Sequence, residues 1–199
     1  MVLKKPATYL TESFHLAVKY ATFWHRHQVR KSTDLTYILH PLGVASLVLE
    51  AGGNEDEAIA ALLHDVPEDC GGQVMLEEIE ALFGPRVAEI VAGCSDTLVE
   101  DREDKPEWRV RKQGHIDEIK ASSDMGLHLV TAADKLHNAR AIVTDLQNDG
   151  SIVWNRFNAG QEDILWYYTE MLKVLKSKSV SKTILTPLEK SIEVMAGQN

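Results

Sequence analysis

Apolar residues recur at helical spacing along almost the whole chain, and no stretch alternates with the period of two that a half-buried strand shows. The pattern therefore predicts an all-α fold. Phe14, Ala17, Val18, Ala21 and Trp24 form the apolar stripe of a first helix, which gives way to a polar run from His25 to Asp34 that reads as a loop carrying Arg30 and Lys31. Pro41 suits the first turn of a second helix bearing Val44, Ala45, Leu47 and Val48; Gly52-Gly53 ends it, and His40 stands at its entrance. Asn54 and Glu57 have the spacing of a capping pair for a third helix containing Ala58, Ile59, Ala61, Leu62 and Leu63. Pro67 has no backbone N–H to donate one turn back, so it should kink or end that helix.

Further helices are expected over Leu76 to Phe83, Pro85 to Cys94, Glu107 to Ala121, Leu127 to Leu146, Asp163 to Leu175 and Pro187 to Met195. Lys176 to Lys182 reads as a short polar connection. At roughly 100–200 residues per domain, 199 residues make one domain, with a helical-bundle core over about 11–175 and a C-terminal helical extension over about 176–199.

Composition narrows the class. With 44% hydrophobic residues, 12 Gly and 6 Pro, the chain is neither disordered nor collagen-like. Met1 to Lys5 is followed by Pro6 and polar residues rather than the apolar run of a signal peptide, and no segment approaches the roughly 20 apolar residues of a membrane span. A soluble, cytoplasmic protein is expected. Cys70 and Cys94 lack C-x-x-C spacing and read as buried or half-buried thiols. A net charge of −9 argues against a nucleic-acid or anionic-membrane surface, both of which need basic fields. The charge is unevenly spread: residues 55–104 hold 15 acids and 2 bases, the remainder 15 acids and 19 bases. Either this is a solvated acidic face, or it is a cation site next to basic groups that hold an anionic substrate.

The stretch Leu62-Leu63-His64-Asp65-Val66-Pro67-Glu68-Asp69 bears on that choice. His64 and Glu68 are four apart, as are Asp65 and Asp69, so each pair would share a face if the helix continued. Three carboxylates within two turns repel one another unless a cation neutralises them. His40 lies between Leu39 and Pro41, and Asp134 lies in the apolar helical context Leu129 to Leu136. His40 could equally be a helix-end neighbour, and Asp134 could pair with Lys135 or Arg140 on the surface. His15, His25, His27, His115 and His128 have no spacing that ties them to the cluster, and His137 reads as a helix-surface imidazole three residues after Asp134. Lys105, Arg109, Arg111 and Lys112 fit the exposed face of an amphipathic helix, or could face an anionic substrate. Trp154, Trp166, Tyr167 and Tyr168 read as core and pocket wall.

Taken in order, His40-Pro41, His64-Asp65-x-x-Glu68-Asp69 and Ala133-Asp134-Lys135-Leu136-His137-Asn138 resemble the motifs of the HD-domain metal-dependent phosphohydrolases. More narrowly, they resemble the hydrolase domain of the RelA/SpoT homologue family. His27 to Lys31 before Tyr37 to Pro41 is similar to that family's opening motif, and Phe83-Gly84 followed by Val87 to Val91 also fits; the likeness spans about residues 13–172. It implies a stand-alone small alarmone hydrolase that cleaves the 3′-pyrophosphate from guanosine tetra- and pentaphosphate, with Mn²⁺ as the usual metal. By resemblance the metal ligands are His40, His64, Asp65 and Asp134, while Glu68 and Asp69 position and activate the attacking water. Arg30, Lys31 and Ser32 match the nucleotide-contacting loop, Asn138 a polar residue near the ribose, and Tyr167 a tyrosine of the pocket wall.

The chemistry of these residue types agrees. Two imidazoles and two carboxylates suit Mn²⁺, Fe²⁺ or Zn²⁺, and in an octahedral sphere they leave room for water and a phosphate oxygen. A nearby carboxylate can take the proton of the attacking water, and phosphoryl transfer needs positioning more than a covalent nucleophile. Two alternatives stay open. One is hydrolysis of another nucleotide, such as an adenine alarmone, a nucleoside monophosphate or NADPH; the other is a catalytically silent nucleotide sensor. Val66-Pro67 inside the second motif and Ala141, which offers no hydroxyl to a nucleotide, bear on the choice of substrate.

Overall fold

A computed structural model describes residues 8–31, 33–95 and 106–197. Among them are α1 (Glu12–Trp24), α2 (Leu39–Glu50), α3 (Glu55–Leu63), α4 (Val66–Cys70), α5 (Gly72–Phe83), α6 (Pro85–Cys94), α7 (Trp108–Ala121), α8 (Met125–Asp149), a 3-10 helix (Gly150–Arg156), α9 (Gln161–Lys176) and α10 (Lys182–Met195). The described residues form no sheet; one isolated antiparallel bridge, Val29 to Thr36, ties the loop between α1 and α2 into a narrow hairpin. The fold is all-α, as the apolar spacing predicts.

The 25-residue α8 is the spine, packed against α2, α3, α6, α9, α10 and the 3-10 helix. Its small residues Ala132, Ala133 and Ala139 are fully buried, as are Ala58, Ala60 and Ala61 of α3. Closely packed backbones bring polar side chains of three helices within reach of one another. Gly43 of α2 serves the same approach: a Cβ there would lie 2.3 Å from the His137 ring of α8.

Helix ends follow local chemistry. Asn54 and Glu57 form a reciprocal capping box, so α3 starts where the sequence places it. Pro67 does not kink a continuing helix. α3 stops at Leu63, His64 and Asp65 form the break, and Pro67 sits in the first turn of α4, where its missing N–H costs nothing. His64 and Asp65 therefore lie in the break and Glu68 and Asp69 on α4, rather than all four on one continuous helix face. α5 begins at Gly72 rather than Leu76, because Gly71 at φ +148 makes a turn that an L side chain rarely adopts and lets α5 follow α4 directly. α10 begins at Lys182 rather than Pro187. Ser181 caps it, and the buried stripe Ile184, Leu185, Leu188 and Ile192 carries the helix through the proline. The 3-10 helix was not expected from the sequence.

The start of α8 joins two helices electrostatically. Asp124 accepts from the backbone N–H of Gly126 (2.8 Å) and Leu127 (3.2 Å), and Arg86 of α6 grips the same carboxylate through both terminal nitrogens at 2.5 and 2.7 Å. The Arg86 hydrogen bonds, followed by the two N–H donors, lower the Asp124 pKa to about 2. A lowered carboxyl pKa stabilises the fold above the ordinary Asp value near 4, and that contribution disappears as pH falls toward 2. Asp124→Ala should therefore cost about 1–2 kcal/mol at neutral pH, allowing for the solvent around Arg86. In urea unfolding, the gap between variant and parent should narrow from pH 5 to pH 2; a gap independent of pH would refute the ionic part.

Candidate functional site

Two helices and one helix break deliver the polar cluster. His40 enters from the first turn of α2, His64 and Asp65 from the break between α3 and α4, and Asp134 from the middle of α8. His40 is 1%, His64 3% and Asp134 8% exposed, and Asp65 is half-buried. The Nε2 atom of His40 lies 3.4 Å from Asp65 Oδ2 and 3.2 Å from Asp134 Oδ1; that of His64 lies 3.1 and 3.7 Å from the same atoms. One donor atom each from His40, His64 and Asp65 fall within 4.8 Å of one another, and Asp134 closes the group through its contacts with both imidazoles.

The orientation of His64 is chemically telling. Its Nδ1 is 2.8 Å from the Ala61 carbonyl, which can only accept, so Nδ1 carries a hydrogen. Its Nε2 is buried and has no hydrogen-bond partner, although two carboxylate oxygens are close. A buried imidazole nitrogen that crowds two carboxylate oxygens without a hydrogen bond is placed as a ligand atom would be. The residues present thus fit a divalent cation, with two imidazole nitrogens and two carboxylates as the donor set.

Neighbours hold the carboxylates in place. Tyr37 donates its hydroxyl to Asp65 Oδ2 (2.6 Å); Lys135 and Asn138 donate to Asp134 Oδ2 and Oδ1, both at 2.6 Å. Burial opposes ionisation of Asp65, but His64 and then His40 hold its carboxyl well below the usual range. Burial likewise opposes ionisation of Asp134, and Lys135 is the first of the groups that overcome it. Burial pushes the His64 pKa down, while Asp65 first and Asp134 second raise it further, leaving it well above the ordinary value.

A polar cavity of about 190 Å³ lies against the cluster, lined by Glu68 and Asp69 together with Tyr37, Lys112, His115 and Lys135 among others. Glu68 and Asp69 thus face the same space as His40, Asp65 and Asp134. Gln28 donates to Asp69 Oδ2 at 2.7 Å; partial desolvation and the Asp65 charge raise the Asp69 pKa. Tyr37, Lys112, Lys135, Asn138 and Tyr167 also line a second, larger cavity of about 440 Å³. There the cations Arg30, Lys31, Lys112, Lys135 and Arg156 meet apolar and aromatic walls from Leu35, Trp108, Ala141, Phe157 and Tyr168.

The structure brings together His40, His64, Asp65, Asp134, Glu68, Asp69, Arg30, Lys31, Asn138 and Tyr167 around two adjoining cavities. Arg30 donates to Asn138 Oδ1 at 2.6 Å, which links the loop before α2 to α8. Ser32 and Lys105 lie outside the described residues. Of the remaining basic residues of α7, Lys112 lines both cavities, whereas Arg109 pairs with Asp163 and Arg111 donates to the Pro106 carbonyl. His137 is not a surface imidazole: it is half-buried, with Nδ1 2.9 Å from His40 Nδ1. The sequence reading also passed over Tyr37, Lys135, Arg156 and Phe157. Tyr37 and Lys135 stand within the recognised motifs, but Arg156 and Phe157 carry no signal of their own.

The HD-domain family matches residues 17–165. The chain belongs to the HD-domain family. Among its relatives, a guanosine-3′,5′-bis(diphosphate) 3′-pyrophosphohydrolase MESH1 of Drosophila melanogaster is 33% identical over 153 residues, 75% of this chain and 78% of that protein. The MESH1 protein of Xenopus tropicalis is 38% identical over 127 residues, 62% of this chain and 66% of that one. The bifunctional (p)ppGpp synthase/hydrolase SpoT of Escherichia coli is 33% identical over 123 residues; the match spans only 16% of that longer protein. Among solved structures, a metazoan orthologue of SpoT that hydrolyses ppGpp superposes with a TM-score of 0.76 at 28% identity, over 96% of this chain and 99% of that one. A Listeria monocytogenes protein superposes at 0.65 and 25% identity, over 78% and 97%. The resemblance read from the motifs is thus shared by sequence relatives and by the whole fold.

In the metal-free HD-domain protein, the His64 imidazole should titrate above its ordinary value of about 6.5 by NMR, and Asp65→Asn should bring that titration down. A normal or lowered value in the parent would contradict the electrostatic picture.

Proposed function

We propose that this HD-domain protein is a metal-dependent hydrolase of the 3′-pyrophosphate of guanosine tetra- and pentaphosphate, releasing pyrophosphate and GDP or GTP. The observation that carries the reading is the joining of the two cavities: a carboxylate-imidazole cluster opens into a basic, aromatic-walled pocket large enough for a nucleotide. The relatives named as 3′-pyrophosphohydrolases favour the guanosine alarmone over an adenine alarmone, a nucleoside monophosphate or NADPH.

His40, His64, Asp65 and Asp134 would hold one divalent ion, for which Mn²⁺ is the first choice and Zn²⁺ or Fe²⁺ the alternatives. When bound, the ion lowers the pKa of water and polarises the phosphoryl group. Glu68 and Asp69 face that space and supply the proton-accepting carboxylates; the raised pKa of Asp69 brings it closer to working pH. Arg30 and Lys31 grip phosphate or stack on the base, and Tyr167 walls the pocket. Asn138 already bridges Arg30 and Asp134, and from there it can reach the ribose. Five cations line the second cavity and would help balance the charge of an anionic substrate, although Lys135 already pairs with Asp134 and Arg156 with Asp145 and Asp149. We take the chain as one catalytic domain that works in the cytoplasm on a small nucleotide, without nucleic-acid or membrane partners.

The test is incubation of the Mn²⁺-loaded protein with a nucleotide panel. Pyrophosphate should be released from guanosine tetraphosphate, and Glu68→Gln and Asp69→Asn should each lower kcat by about 10²–10⁴-fold while still binding metal. Metal-loaded protein inert to the whole panel would overturn the reading in favour of a silent sensor. Variants with parental kcat would overturn the roles of the two carboxylates.

A further inference from the structure

The contact between His40 and His137 is not used by the chemistry above. The two Nδ1 atoms lie 2.9 Å apart, a distance that requires one nitrogen to donate and the other to accept. His40 is buried, and its other nitrogen, Nε2, faces Asp65 and Asp134. If Nε2 is to coordinate a cation its lone pair must be free, so in the neutral ring the hydrogen sits on Nδ1. His137 Nδ1 must then be the acceptor.

The packing accommodates this pair in a second place, independent of the hydrogen bond. Gly43 lies on α2 one turn after His40, and a methyl group there would meet His137 Cδ2 and Nε2 at 2.3 Å. Glycine therefore leaves the space that the His137 ring fills beside α2. The ring centroids of His40 and His137 are 4.8 Å apart and those of His40 and His64 5.1 Å, so the three imidazoles pack as a row with His40 in the centre.

We propose that His137 is a positioning residue for the metal: it accepts the Nδ1 hydrogen of His40, fixing the ring's tautomer and aiming Nε2 at the ion. This deepens the proposed hydrolase reading and rests on its metal site, though not on its substrate. A partner behind a ligating imidazole typically changes metal affinity by about 10–100-fold. The acceptor is what matters, so a side chain with an oxygen near the place of Nδ1 should substitute for it.

The experiment is calorimetric titration of the metal-free protein with Mn²⁺, with no nucleotide present. His137→Phe, which keeps a ring but has no acceptor, should bind about 10–100-fold more weakly, and His137→Asn, whose Oδ1 can accept, should recover most of the affinity. Gly43→Ala, which displaces the ring without altering its chemistry, should weaken binding in the same direction. Far-UV circular dichroism and urea midpoints establish that each variant is folded. Parental affinity in His137→Phe would overturn the proposal, as would equal weakening in the Phe and Asn variants, which would mark a packing role alone. A parent that binds Mn²⁺ but releases no pyrophosphate would sink the hydrolase reading and leave this inference standing; a parent that binds no Mn²⁺ would sink both.

Discussion

Two carboxylates cannot be gathered beside two imidazoles in a largely buried site unless positive charge offsets their repulsion. Asp65 and Asp134 are in that position, with His40 and His64 between them. In the protein alone, Lys135 beside Asp134 supplies part of the compensation. A divalent ion held there would supply it more completely, and because ligand groups bind in their deprotonated forms its affinity would depend on pH. The close packing of α2, α3 and α8 serves this arrangement: buried alanines draw the helices together, and the break after Leu63 turns His64 and Asp65 toward Asp134.

The two cavities differ in polarity. Carboxylates and imidazoles dominate the smaller one, which under the proposed function would take water and the ion. Cations and aromatic rings dominate the larger one, which would take nucleoside and phosphates. Tyr37, Lys112, Lys135, Asn138 and Tyr167 border both, so two cations stand at the junction where a substrate spanning the cavities would pass. The uneven charge of the chain acquires a local meaning here. The acidic segment 55–104 contributes Asp65, Glu68 and Asp69, whereas the basic remainder contributes the walls of the larger cavity.

Much of this was legible in the residues. Period and caps located most helices because apolar spacing and the Asn54-Glu57 box are local signals. The metal-ligand candidates were legible because a His-Asp pair at a helix end and an aspartate in an apolar stripe are both costly without a purpose. What the sequence hid depended on tertiary contact. Pro187 looked like a helix start, but a buried apolar stripe on both sides carries α10 through it. His137 looked like a surface side chain, and only the approach of α2 at Gly43 shows that it rests on His40. Arg156 ends a 3-10 helix that has no periodic signature and Phe157 follows it, and both line the larger cavity.

The most direct measurement of the central claim is anomalous scattering from crystals grown with Mn²⁺. One strong peak is expected at coordination distance from His40 Nε2, His64 Nε2 and a carboxylate oxygen each of Asp65 and Asp134. A peak elsewhere, or an ordered crystal with no peak and His64 Nε2 still lacking a partner, would contradict it.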